Sequence, residues 1–411
     1  MFQLQEQHRM VQTMVRHWCN KRLQPCIPAL ESGQEMPFAL MREMVRTFGL
    51  DALATQAARR RIERLRRGEV PQGEGGESPA GDDPMMAYVL IKELARVSPG
   101  FAMGLGVTLG LAGGTILARG TAEQIERFAL PLLSCDKIGS WCLTEPEAGS
   151  DALGSMRTTA RPCTDEGGGY ILSGSKTFVT NGPGADLFVV YARIDHGGPR
   201  EQQPIGAFVL ERGMPGLSIG QPFKKMGMRD SPTCALFFDE VRVPADHLLG
   251  GPQGADAGRR DVKQGLLGER AGVPAMAWGI VERCYELSRD HALRRQQFGR
   301  PIGEFQAVQL KLADLFLKLR LVESVVFRIA WLQQSGTRDD AFVMASKAFC
   351  AQCAVEAAMT AIQIHGGYGY MEEFHLEKLA RDAKLLELGA GTSDINLLTA
   401  ARLELGLTPG V

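Results

Sequence analysis

Residues 385–396 read LLELGAGTSDIN, and the junction they form decides how the second half of the chain is built. A charged run of helical character, EKLARDAKLLEL, stops at Gly389-Ala390-Gly391, and Thr392-Ser393-Asp394 starts a new segment. Glycine followed by Thr, Ser or Asp ends one helix and caps the next, which leaves backbone N–H groups exposed at a turn. Such a turn can hold a ligand oxygen. Residues 389–393 carry no acid or base, so proton transfer at this place needs a group from elsewhere in the chain.

The surroundings of the turn are helical from about residue 262 onward. Val308, Leu312, Leu315, Leu319, Val322, Val326 and Ile329 follow an alternating four-three spacing, the seam of a helix in a bundle. Gly336 and Asp339-Asp340 break that seam, and FVMASKAFCAQCAVEAAMTAIQIHG reads as another helix. Residues 136–250 differ: YILSGSKTFVTN, ADLFVVYAR, IGAFVLE and TCALFFDEVRVP are short β-branched and aromatic runs between turn clusters, so a small β-domain, sandwich or barrel, is predicted. Residues 1–135 return to helical spacing, interrupted at 57–84 by a basic helix end and the tract GEVPQGEGGESPAGDDP. That tract cannot bury apolar area and is read as a mobile surface insertion; its arginines are a solvated helix end or, alternatively, a docking patch. The expected architecture is α+β: an N-terminal helical domain (1–135), a central β-domain (136–250) and a C-terminal four-helix bundle (251–411).

Composition narrows the function. The chain has 411 residues, with 46 Lys and Arg against 47 Asp and Glu, a net charge of −1, so no global field recruits nucleic acid or an anionic membrane. No uncharged apolar run is expected to span a bilayer. The N-terminus, MFQLQEQHRMVQTMVRHWCNKR, reads as an amphipathic helix and not a signal sequence. The nine cysteines are odd in number and mostly in apolar segments, which suits buried thiols in a reducing cytoplasm. Cys350 and Cys353 form a CxxC in an alanine-rich helix; with no second CxxC or His pair, they read as core residues and not as a metal site.

Five motifs carry a resemblance. WCLTEPEAGSD (141–151), RRQQFGRPIGEFQ (294–306), QIHGGYGY (363–370), RDAKLLE (381–387) and GAGTSDI (389–395) occur in this order along the chain. Together they resemble the acyl-CoA dehydrogenase flavoprotein family over nearly the whole length outside 57–84. The resemblance implies FAD as cofactor, an acyl-CoA thioester as substrate, an electron-transfer flavoprotein as acceptor and a homotetramer, a dimer of dimers, in which a neighbouring chain completes each flavin site. It places Trp141, Leu143, Thr144, Phe178 and Thr180 at the flavin, with Phe178 where many members have Trp. Ser150 falls near the CoA moiety. Arg295, Gln297 and Phe298 match positions for the pyrophosphate and adenine of a neighbouring subunit's flavin, Gln363, Gly366 and Gly367 another part of that contact, and Thr392 and Asp394 the positions that close over the adenosine. Taken singly, Gly366-Gly367 also reads as a helix C-cap and Phe298 as a core aromatic.

The resemblance also answers the question of the base. Many members carry a carboxylate immediately before the GTS turn, where this chain has Ala390. Isovaleryl-CoA and long-chain acyl-CoA dehydrogenases instead carry their catalytic Glu in an earlier helix, before an Arg, and Glu269-Arg270 in LLGERAGV matches that pair. The small, apolar residues around Glu269 predict burial and a raised pKa, as a base working near neutrality needs; a structural Glu–Arg pair is the alternative. Glu387 is read as a solvated or paired helix carboxylate. The Ala390 backbone N–H is left to hold the thioester oxygen. Gly389 and Ala390 are small where other members are larger, so the resemblance implies room for a branched, bulky or long acyl group, with Arg270 and Gly389 at the substrate. Gly104, Gly106 and Gly110 either widen that room or let helices pack closely. An acyl-CoA oxidase, a dehydrogenase of carrier-protein thioesters and a flavin-containing nucleic-acid-binding relative are the competing readings.

Overall fold

A computed structural model describes residues 3–69, 83–164, 168–255 and 257–407. The N-terminal part packs helices α1 (Glu6–Trp18), α2 (Phe38–Thr47), α3 (Leu50–Arg66), α4 (Pro84–Ala95) and α5 (Pro99–Gly106), the last continuing through wide turns to Arg119. Pro at the first position of α4 and α5, with Asp83 and Ser98 as N-caps, starts both helices where the missing N–H costs nothing. The basic stretch expected as a solvated helix end is the last part of α3. It is partly buried, with Ala58, Arg61 and Ile62 turned inward and Arg61 donating to the Ala118 carbonyl at 2.6 Å. The insertion expected at 57–84 therefore begins after a packed helix, and its residues 70–82 lie outside the described part.

The central part is, as expected, a β-domain; its seven strands form one hydrogen-bonded mixed sheet whose strands share a common core: β1 (Gly139–Cys142), β2 (Thr159–Pro162), β3 (Tyr170–Thr180), β4 (Leu187–Ile194), β5 (Ile205–Glu211), β6 (Leu217–Ile219) and β7 (Thr233–Val243). β1 and β2 pair with β4 in parallel, end to end along one edge, and β5 pairs antiparallel on the other; β4 is buried at every position because its alternate side chains enter two separate hydrophobic cores. A strand covered on both faces has no polar face, which explains the unbroken apolar run LFVVYA. β3 bridges β2 and β7 and is irregular between Lys176 and Val179, a bulge that re-aims Phe178.

The bundle holds α6 (Gly258–Arg294), α7 (Gln306–Ser335), α8 (Asp340–His365), α9 (Leu376–Leu388) and α10 (Ser393–Glu404). Along the α7 seam Leu315, Leu319, Val322, Val326 and Ile329 are buried, and Val308 and Leu312 partly so. Two helical stretches, Pro99–Arg119 and Asp340–Tyr370, are as long and apolar as a bilayer span, contrary to the sequence expectation; about half of each (56% and 50%) is buried within the protein. The three parts are locked by charge. Lys378 on α9 reaches Asp382 at 2.6 Å and, across the junction, Glu31 and Asp230 at 3.1 Å each. This fixes the first half of α9 against the sheet and the N-terminal helices.

Candidate active site

Ala390 and Gly391 both adopt left-handed backbone, with φ of 55° and 82°. For alanine this costs about 1–2 kcal/mol, so the surroundings must hold it. They do so through the carbonyls. Arg270 Nε donates to Ala390 O at 2.9 Å, Lys347 Nζ to Gly391 O at 2.7 Å, and Asn396 Nδ2 to Gly391 O at 2.7 Å and Thr392 O at 3.0 Å. Thr392 Oγ1 accepts from Ile395 N and caps α10, while Asp394 is exposed in its first turn. Among the described residues nothing accepts from the Ala390 N–H, and Gly389 adds no bulk beside it.

Glu269 lies on α6 with Gly265 and Gly272 one turn to either side of it, and Gly268 continues the glycine strip beside it. A Cβ added at Gly268 or Gly272 would meet no atom within 4 Å, and one at Gly265 only the Trp141 ring, at 3.7 Å. The base candidate thus stands on a bare strip of helix beside Trp141. Burial pushes its carboxyl up to about 7, against the pull of Arg270 and Lys347. Half-buried, it forms no hydrogen bond or ion pair among the described residues. The structural Glu–Arg pair is absent: neighbouring helix positions diverge, and Arg270, expected at the substrate, binds the turn. Glu387 pairs with Lys384.

Lys347 and Asn396 went unnoticed in the sequence. Lys347 is the one cation in the α8 stretch FVMASKAFCAQCAVEAAM, and a lone cation in a largely apolar helix was the signal available. Its ammonium is fully buried, and burial together with Arg270 pulls its pKa down to about 8. Cys350 and Cys353 are buried, free thiols in the same helix.

A second group of residues lies on the sheet. Phe178 has φ of 54° at the β3 bulge and its ring is 68% exposed, an apolar plate held out by strained backbone. Trp141 donates from its indole nitrogen to Tyr191 Oη at 3.2 Å. The carbonyls of Leu143, Thr144 and Thr180 accept from Lys176 Nζ, Thr177 N and Ser140 Oγ, so all three residues are fixed. The loop after β1 is pinned by buried Glu145, which accepts from Lys176 Nζ at 2.8 Å, Arg157 N at 2.6 Å and Thr158 N at 3.0 Å. Ser150 is exposed on that loop.

A third group forms at the far end of α6 and α8. Gln296-Gln297 pairs with Arg300-Pro301 across Phe298 and Gly299, whose positive φ values of 53° and 79° define a type I′ hairpin. Phe298 is 93% exposed, so it is no core aromatic. Arg295, Gln297, Gln363, Gly366 and Gly367 line one groove of about 460 Å³, and Gly366 also caps α8 with φ of 61°.

A flat heterocycle carrying a pyrophosphate fits these surfaces: an exposed aromatic plate beside a strand end with fixed backbone, and a groove with a guanidinium and an open Gly-Gly backbone. With a carboxyl at about 7 and a free N–H close by, the molecule has the build of a flavin-dependent oxidoreductase that breaks a C–H bond next to a carbonyl. The comparisons agree. The chain matches the N-terminal, middle and C-terminal domains of acyl-CoA dehydrogenase over residues 66–136, 140–241 and 256–405. It is 35% identical to an acyl-CoA dehydrogenase of Bacillus subtilis (strain 168) over 97% of this chain and 98% of that one. It is 37% identical to a mitochondrial isovaleryl-CoA dehydrogenase of Arabidopsis thaliana over 76% and 75%. The structure of butyryl-CoA dehydrogenase from Megasphaera elsdenii superposes with a TM-score of 0.84 at 31% identity, covering 98% of this chain and 99% of the other. The chain belongs to the acyl-CoA dehydrogenase family, an FAD-dependent oxidoreductase acting on a CH–CH bond.

Proposed function

We propose that this protein oxidises a branched or otherwise bulky acyl-CoA thioester to its 2-enoyl-CoA, with Glu269 as the base. The observation that carries the reading is the unpaired Glu269 carboxyl, held near 7 beside a strip of three glycines on α6. The ionised carboxylate takes the α-proton, and the C–H pair shifts toward the thioester carbonyl, whose oxygen gains charge and accepts from the Ala390 N–H. The β-hydrogen departs as hydride while the α,β double bond forms. FAD, when bound, supplies the hydride acceptor. Trp141, Leu143, Thr144, Phe178 and Thr180 would hold its ring system, Ser150 the CoA end of the substrate, and Arg295, Gln297, Gln363, Gly366 and Gly367 the pyrophosphate and adenosine part of a neighbouring chain's cofactor, closed over by Thr392 and Asp394. The bare strip at Gly265, Gly268 and Gly272 and the small Gly389-Ala390 pair favour a branch near the reacting carbons, in line with the isovaleryl-CoA dehydrogenase similarity. We further infer an electron-transfer flavoprotein as acceptor, a homotetramer and a cytoplasmic location, which the nine free thiols suit.

The test is anaerobic flavin bleaching by straight, branched and aromatic acyl-CoA thioesters, with Glu269→Gln alongside. Bleaching of the wild type by a branched thioester, with a rate at least about 10³-fold lower in Glu269→Gln, is the expected result. Equal rates in both would remove Glu269 from the chemistry. Reoxidation by oxygen as fast as by an electron-transfer flavoprotein would point to the oxidase reading.

A further inference from the structure

We propose that Lys347 is a positioning residue for this reaction: its buried ammonium clamps the Gly391 carbonyl so that the Ala390 N–H is aimed at the thioester, and with Arg270 it supplies the positive field in which Glu269 works. The inference rests on the reading of Glu269 as base.

Lys347 is 0% exposed and has no ion-pair partner among the described residues; its ammonium donates to Gly391 O at 2.7 Å. Taking an ammonium out of water without a paired carboxylate is expensive. The carbonyl does not require it, because Asn396 Nδ2 already donates to Gly391 O at 2.7 Å. Packing does not explain it either, since Ser346, Ala348, Cys350 and Ala351 around it are small, buried residues among which an apolar side chain would cost less. A buried cation that neither satisfies an orphan acceptor nor pairs with an acid stabilises the fold poorly, so its use lies in what it does to its neighbours.

Those neighbours are the site itself. Arg270 and Lys347 grip consecutive carbonyls, Ala390 O and Gly391 O, of the two residues in left-handed backbone. Fixing both carbonyls fixes the peptide planes on either side of Gly391 and, through the Ala390 dihedrals, the direction of the Ala390 N–H. The charges facing Lys347 are Arg270 and Glu269 from α6 and Glu387 from the end of α9, and Glu387 is already engaged by Lys384. Glu269 is therefore the acid that feels both cations. Their field opposes the desolvation that would otherwise keep it protonated, and it favours negative charge growing on the thioester oxygen.

The experiment uses FAD-loaded wild type, Lys347→Met and Lys347→Arg, each with and without Glu269→Gln, and isovaleryl-CoA and butyryl-CoA as probes. Two readouts are taken: kcat and KM for flavin reduction, and the pH at which the gap in Tm between each protein and its Glu269→Gln partner levels off, which marks the folded-state titration of Glu269 without any substrate. In Lys347→Met, kcat should fall by about tenfold or more with KM little changed, and the levelling-off pH should rise by on the order of one unit. Lys347→Arg should restore the levelling-off pH. A Lys347→Met enzyme with wild-type kcat, or an unmoved levelling-off pH, overturns the proposal. If Lys347→Met does not fold, Lys347→Gln, which keeps a donor and removes the charge, decides the field through the levelling-off pH: an unmoved value overturns it. If neither thioester reduces the wild-type flavin, the short branched substrate reading falls, and the levelling-off pH alone still decides the role of Lys347.

Discussion

At the scale of single residues, Glu269 and Lys347 set stability against function. The folded protein holds the Glu269 proton more tightly than the unfolded chain, near 7 against an ordinary carboxyl value, so its ionisation works against folding. The stability this carboxyl contributes is complete below about pH 4.3 and is lost as pH rises through about 7. Glu269→Gln is not subject to that loss. Its stability should therefore draw ahead of the wild type between pH 5 and 7 and stay ahead by a constant margin above pH 8, on the order of 3 kcal/mol, with Tm raised accordingly. Thermal unfolding at unit pH steps checks this, and a gap independent of pH would mean that the carboxyl is not perturbed.

At the scale of elements, the loop that follows β1 depends on one buried pair. Glu145 accepts from Lys176 and from two backbone N–H groups, and Lys176 also holds the Leu143 carbonyl. Removing the cation alone leaves a buried carboxylate uncompensated. Lys176→Met should therefore cost about 3–5 kcal/mol and lower the flavin content of the purified protein, and adding Glu145→Gln should return part of both. A denaturant series with flavin absorbance measures the two together. Neither residue drew notice in the sequence, although both sit inside motifs that did. What was legible there was periodic: the apolar run of β4, the α7 seam and the cap at Thr392 each follow from one segment's own pattern. The order of strands in the sheet was not legible, because β1 and β2 share one edge of β4 through contacts between segments distant in the chain. For the same reason the LLGERAGV stretch could point to Glu269 and Arg270 together but not show that Arg270 binds a turn 120 residues away.

At the scale of the whole molecule, the bundle of one chain turns several large apolar side chains to solvent. Phe298 (93% exposed), Tyr370 (75%) and Leu310 (72%) stand out, and Tyr368, Met371 and Phe374 are exposed close to Tyr370 in the chain. Burial of such patches against another copy gains roughly 25 cal/mol per Å² of apolar area, before the cost of association. The Phe298-Gly299 turn is also stiff, with two positive φ values and a paired hairpin on either side, so the ring is presented and not merely left outside. It leads out of Arg295 and Gln297, which line the groove with Gln363, Gly366 and Gly367. If that groove serves a neighbouring chain's FAD, assembly and cofactor retention are one equilibrium, because whatever binds only the assembled form stabilises it. Phe298→Asp changes an exposed ring and should leave the fold of the chain intact. It should shift the protein to smaller species in light scattering and, in the same fractions, lower the ratio of flavin to protein. Loss of assembly with full flavin content would separate the two, and would mean that one chain holds its cofactor unaided.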